Sequence, residues 1–190
     1  TNGQWTETSF QFTPSKNGNV LTNWKIGFYF DQADDFGGSP DWPDSVPLVE
    51  TQYAETVAYD WNANTVEVAT NNIRVRAETT IYAPVSGVYD FRIKHDDGAR
   101  MWIDGDQVIN NWTEGGDRYT YGTKYLSANT LYDVKAEMYE NQGHASFQIE
   151  SRTPNQNSYD FLRPATQLQA NNAGGQLTPE YEGIMMNIWL

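Results

Sequence analysis

Apolar side chains recur at every second position in four stretches: Tyr89, Phe91 and Ile93; Ala99, Met101 and Ile103; Val134, Ala136 and Met138; and Ala145, Phe147 and Ile149. The residues between them are mostly polar or charged, such as Asp90, Arg92 and Lys94, or Asp133, Lys135 and Glu137. A period of two sends one set of side chains to a core and the other to water, as in antiparallel sheets covered on one face. Further strands are expected at residues 73–77 and 79–82. Turn residues are dense, at 84–87, Asp104-Gly105, Gly115-Gly116 and Gly143. Many short strands at this spacing predict an all-β sandwich or barrel. No helix of normal length and no internal repeat is expected.

Three regions fall outside that core. Residues 1–22 contain an extended stretch over 4–12, with Phe10 and Phe12 on one side. Residues 31–47 are rich in Asp, Gly and Pro. Residues 165–190 hold a flexible-looking segment over 171–176, followed by Ile184, Met186, Ile188 and Leu190 in alternation. The expected organisation is an N-terminal arm (1–22), a sandwich (23–164) and a C-terminal tail (165–190) that ends in a strand.

Composition narrows the partners. With 190 residues the chain fits one domain, and its net charge is −13, from 25 acids against 12 bases. Such a surface repels nucleic acid and anionic membranes and attracts cations. The longest uncharged apolar stretch is the final eight residues, whereas a membrane span needs about 20. There is no cysteine, so disulfides and thiolate metal sites are excluded and a prokaryotic or archaeal source is expected. The chain opens at Thr1 rather than Met. Either a signal peptide has been removed from an exported protein, which is the favoured reading, or the start is a fragment boundary.

The middle of the chain carries a specific pattern. Gly87-Val88-Tyr89-Asp90-Phe91-Arg92-Ile93, followed by His95-Asp96-Asp97-Gly98-Ala99-Arg100-Met101-Trp102-Ile103-Asp104-Gly105, resembles the signature of the PA14 family. Gln107-Val108-Ile109-Asn110-Asn111-Trp112 fits the next position of that signature. Tyr139-Glu140-Asn141-Gln142-Gly143-His144-Ala145 is similar to its later hairpin. Gly27-Phe28-Tyr29-Phe30 resembles its opening, so the likeness covers roughly residues 24–155. The resemblance implies an antiparallel β-sandwich of jelly-roll type, here with extended N-terminal and C-terminal arms. In lectin-type members two adjacent aspartates joined by a cis peptide bind calcium, and the calcium coordinates sugar hydroxyls. Other members bind no sugar, so fold alone does not fix function.

Carried onto this chain, the resemblance places Ca2+ at Asp96 and Asp97. Asn141 is the leading further side-chain ligand and Gln142 the second, with carbonyls near Gly143 and His144 completing the shell. Calcium takes six to eight oxygen ligands, which suits carboxylates and carbonyls. Gly98 is expected to allow a sharp exit from the loop. Taken alone, Asp-Asp-Gly reads as an ordinary turn; within the full signature, calcium is the stronger reading. Trp112, Trp42 and Tyr119 are candidates to stack on a sugar ring.

Other constellations carry less. Asp31, Asp34, Asp35, Asp41 and Asp44 read as a solvated acidic loop, with a second calcium site as the alternative. His95 and His144, the only histidines, belong to no ligand-spaced cluster and read as ordinary strand or loop positions. Asn111-Trp112-Thr113 satisfies the N-glycosylation triplet. No Ser-His-Asp set or phosphate loop appears, so a non-enzymatic role is expected. Two classes remain. One is a secreted, calcium-dependent adhesin or lectin-like module that binds surface glycans. The other is a structural subunit of an extracellular filament or coat, pairing with identical subunits by strand exchange through its arms.

Overall fold

The computed structural model describes residues 19–30, 47–62, 72–173 and 176–177. The expected strand-like stretches at 4–12 and 184–190, and the segment with Asp31, Asp34, Asp35, Asp41, Trp42 and Asp44, lie outside the described residues. The chain forms β1 (Asn19–Val20), β2 (Trp24–Phe30), β3 (Leu48–Ala54), β4 (Ala58–Asn62), β5 (Ile73–Ala83), β6 (Gly87–Asp96) and β7 (Gly98–Ile103). It continues with β8 (Asp106–Asn111), β9 (Arg118–Leu126), β10 (Thr130–Glu140), β11 (Ala145–Arg152), β12 (Asp160–Phe161), helix α1 (Gln167–Asn172) and β13 (Gln176–Leu177).

Two sheets face each other. One has the order β3-β2-β5-β10-β7-β8, and the other β12-β11-β6-β9, with β4 also paired to β11. Every pairing within these two sheets is antiparallel. The four alternating runs are β6, β7, β10 and β11. Their apolar sets meet in one core, where Phe91, Ile93, Phe147 and Ile149 pack toward Ile26, Phe28, Val75, Met101 and Met138. The all-β sandwich read from the sequence is therefore the fold.

The stretches expected as separate strands at 73–77 and 79–82 are one strand, β5. Its polar middle disguised the continuity: Thr79 and Thr80 are buried, but their hydroxyls are satisfied. Thr79 donates to the Asn23 carbonyl (3.0 Å) and Thr80 to Asp133 Oδ1 (3.1 Å). In the tail, residues 171–172 are helical rather than loose, because Thr166 and Gln169 form a capping box at the start of α1. Buried Ala170 and Ala173 then pack with Val20, Leu131 and Ala165 in a second, smaller cluster. Asn19–Val20 pairs in parallel with Gln176–Leu177, so the two ends of the described chain meet each other.

One feature of the topology positions the site. β6 ends at Asp96 in the five-stranded sheet, and β7 begins at Gly98 in the six-stranded sheet. The Asp96-Asp97 pair is thus the step by which the chain crosses between the sheets, not a loop extending beyond them.

Candidate functional site

A cis peptide bond joins Asp96 to Asp97. Both carboxylates are buried, and a carboxylate of Glu140 joins them, with the three ligand-type oxygens all within 4.8 Å of one another. Glu140 is the last residue of β10, two positions beyond Met138, so the strand's own alternation turns it inward. It is fully buried, and neither of its carboxylate oxygens meets a hydrogen-bond donor among the described residues.

Asp97 is held quite differently. Its Oδ1 accepts from the Gly115 backbone N–H and its Oδ2 from that of Asn141, both at 2.9 Å. Its own N–H donates to the Tyr139 carbonyl at 2.9 Å. One side chain therefore ties the 113–117 turn to the start of the 141–144 hairpin. Arg118 fixes that turn from the far side, donating to the carbonyls of Thr113, Gly115 and Gly116. His95, fully buried, donates from Nδ1 to the Asp97 carbonyl (2.6 Å), and its Nε2 meets the Thr120 hydroxyl (2.8 Å). His95 lies on strand β6, in keeping with the strand-or-loop reading of the sequence, and it also clamps the backbone of the pair.

Electrostatics follow from burial and like charge. Burial, then Asp97 and Asp96, push the Glu140 carboxyl up to about 8. Burial followed by Asp97 raises Asp96. Burial, then Asp97 and Glu114, push the Tyr139 hydroxyl up to about 12. Burial lowers His95, which keeps its imidazole neutral in its two hydrogen bonds. The site crowds three acidic side chains together, and burial with like charge makes ionising Glu140 and Asp96 costly.

Gly98 serves a purpose other than a sharp exit. A Cβ there would collide with the ring of Tyr139 and press on the backbone nitrogen of Thr113. The residue lets β7 approach β10 closely beside the carboxylates; conformational freedom is not what the position requires.

An open cleft of about 410 Å³ lies beside Asp97, lined by Asp97, Glu114, Gly115, Asn141 and Gln142; neither Asp96 nor Glu140 lines it. Asn141 and Gln142, expected as ligands, are thus brought to Asp97, and Asn141 Nδ2 donates to Glu114 Oε1 at 2.7 Å. Gly143 is exposed in the turn, with φ of 104°. His144 lies on the Asp96 side: its Nδ1 is 3.9 Å from Asp96 Oδ2 and its Nε2 is 2.9 Å from Asp60 Oδ1. Trp112 packs against Tyr139 (4.7 Å between ring centres) and under Arg100 (4.1 Å) and is not among the cleft-lining residues. Tyr119 stands on the outer face of the five-stranded sheet, beside Arg92. The sequence reading drew the rest of the shell from the hairpin at 140–144 but named Asn141 and Gln142 rather than Glu140, and it missed Glu114. Continuing the Val134-Ala136-Met138 alternation by one step would have exposed Glu140; no sequence signal marks Glu114.

A family profile described as PA14 domain matches residues 28–160. The anti-sigma-I factor RsgI3 of Acetivibrio thermocellus is 28% identical over 95 residues, which are 49% of this chain but only 15% of that protein. Among solved structures, an anti-sigma factor domain-containing protein from Clostridium clariflavum is 25% identical with a TM-score of 0.61, covering 75% of this chain and 45% of that one. The A domain of epithelial adhesin 6 from Candida glabrata, solved in complex with Galβ1-3GlcNAc, has a TM-score of 0.58 at 11% identity, covering 82% and 92%. At that identity the likeness is one of fold. The chain spans under half the length of the anti-sigma relatives it matches. The profile match covers most of the chain: this chain belongs to the PA14 domain family.

Proposed function

We propose that this chain is a non-enzymatic, calcium-dependent carbohydrate-binding module that works on the outside of the cell. The observation that carries the reading is Glu140: a fully buried carboxylate with no donor among the described residues, grouped with Asp96 and Asp97 within 4.8 Å. Burying an unpaired carboxylate is costly, and three together repel one another. A hard divalent cation offsets both penalties, and oxygen-only ligands suit calcium. Asp96, Asp97 and Glu140 would hold the ion, with Asn141 and Gln142 at its open side. When bound, the ion supplies positive charge that draws sugar hydroxyls to the cleft. Asp97 keeps that cleft's two walls in register through its backbone hydrogen bonds, and Glu114 and Gln142 offer polar groups to a sugar.

The sugar-bound adhesin of the same fold supports this reading. A glycan array probed with and without EGTA tests it. Hits that disappear with chelator are expected; an array with no calcium-dependent hit contradicts the reading.

The filament reading keeps one supporting observation. Among the described residues β3 forms the outer edge of its sheet, and it exposes Leu48, Val49 and Tyr53, an edge open to strand addition. Size analysis at high protein concentration with calcium decides it, since a chain that stays monomeric excludes a polymer.

A further inference from the structure

β9 is amphipathic in the wrong direction. Along Arg118–Leu126 the exposed positions are Tyr119, Tyr121, Thr123 and Tyr125, while Thr120, Gly122 and Lys124 turn partly inward. Tyr121 and Tyr125 remain 58% and 62% exposed, an unusual placement for aromatic rings on a strand with polar residues on its other side. Gly122 accounts for the inward face. A Cβ there would collide with the Val108 carbonyl, because β9 closes the side of the sandwich against β8. Closure requires the small residue inside but places no such demand on the tyrosines outside.

The cross-strand register sets Tyr121 beside Arg92 and Tyr125 beside Val88 on β6. The Arg92 guanidinium lies 4.4 Å from the Tyr119 ring and 4.2 Å from that of Tyr159, and Tyr159 in turn meets Tyr121 edge to face at 6.3 Å. Tyr119 and Tyr121 are therefore held in place without being covered. The charges on this face are already matched. Arg92 pairs with Glu150 (2.6 Å), Arg152 with Asp90 (2.8 Å), and Lys94 with Asp60 and Asp117 (3.1 and 2.9 Å). On a chain of net charge −13, this face offers rings and hydroxyls but, among the described residues, no unpaired cation for an anionic ligand.

We propose that the outer face of β9 and β6, centred on Tyr121 and Tyr125, is a second carbohydrate site, independent of calcium, that takes a neutral polysaccharide chain. A pyranose ring presents an apolar C–H face to an aromatic ring and hydroxyls at its rim, which matches a row of exposed tyrosines flanked by paired polar groups. From Tyr119 to Tyr125 the strand runs about 20 Å, enough for several sugar rings in line. Single-stranded nucleic acid also stacks on aromatic rings, but it needs free cations along its backbone, which this face lacks.

Pull-down on insoluble cellulose, chitin and mannan in EGTA tests the proposal, with the full chain, Tyr121→Ala/Tyr125→Ala and Tyr121→Phe/Tyr125→Phe. Retention by at least one of these polymers is expected, weakened about tenfold in the alanine pair and kept in the phenylalanine pair. No retention by any of the three would overturn the proposal, as would equal retention by the alanine pair. Retention only by an anionic polymer such as pectate, or a dimer that the alanine pair dissociates, would assign the face to another partner.

Discussion

Glu140 and Asp97 lie side by side yet differ in what the fold provides for them. Asp97 receives two backbone N–H groups, whereas Glu140 receives no donor among the described residues. That difference has a measurable consequence when divalent ions are chelated. The Glu140 carboxyl is held at about 8 against an ordinary 4.5, so between those values the folded chain keeps a proton that the unfolded chain has lost. Its contribution to stability is complete at acid pH and is lost as pH rises through the folded value. Asp96, also raised, acts in the same direction. Melting in EGTA should therefore show a Tm several degrees lower at about pH 9 than at about pH 6. Glu140→Gln should flatten that slope. A chelated protein with equal Tm at both pH values would contradict the burial of an unpartnered acid.

At the scale of elements, the six-stranded sheet is tied across its middle by one acid. Glu137 on β10 is almost fully buried and bonds Arg76 Nε on β5 (2.8 Å) and Arg100 Nε on β7 (2.7 Å). Removing it leaves two guanidinium groups without their shared carboxylate. Glu137→Leu should lower stability toward the lower end of about 3–5 kcal/mol, since Arg76 retains some solvent. Urea unfolding would show it, and a loss below about 1 kcal/mol, the usual value of an exposed pair, would mean the ladder is ornamental. Gly122→Ala should cost about 1–3 kcal/mol, because the added methyl meets backbone that cannot swing aside; an unchanged urea midpoint would refute that contact.

The same strands explain what could be read in advance. β6, β7, β10 and β11 were legible because each has one apolar and one polar face. β9 was not, because its tyrosines point outward and its closure depends on a glycine. β3 was hidden for a related reason: it exposes Leu48, Val49 and Tyr53 at a sheet edge and has no clean alternation. Asp96 and Asp97 stood out through a signature, whereas Glu140 looked like one charge among 25 acids. Its role comes from long-range packing of β10 against the step between the sheets, which local pattern does not encode.

Taken as a whole molecule, the sandwich carries an acidic cluster at the step between its sheets and an aromatic face along β9 and β6, and in the two proposals only the first takes a cation. That Asp96, Asp97 and Glu140 together hold one calcium ion is checked by calorimetric titration of chelator-treated protein with calcium. Asp96→Asn is the cleanest variant, because it removes charge without breaking the backbone bonds that Asp97 accepts. The expected result is saturable binding by the full chain, weakened at least about tenfold in Asp96→Asn and in Glu140→Gln. No heat of binding in the full chain, or the same affinity in both variants, would contradict it.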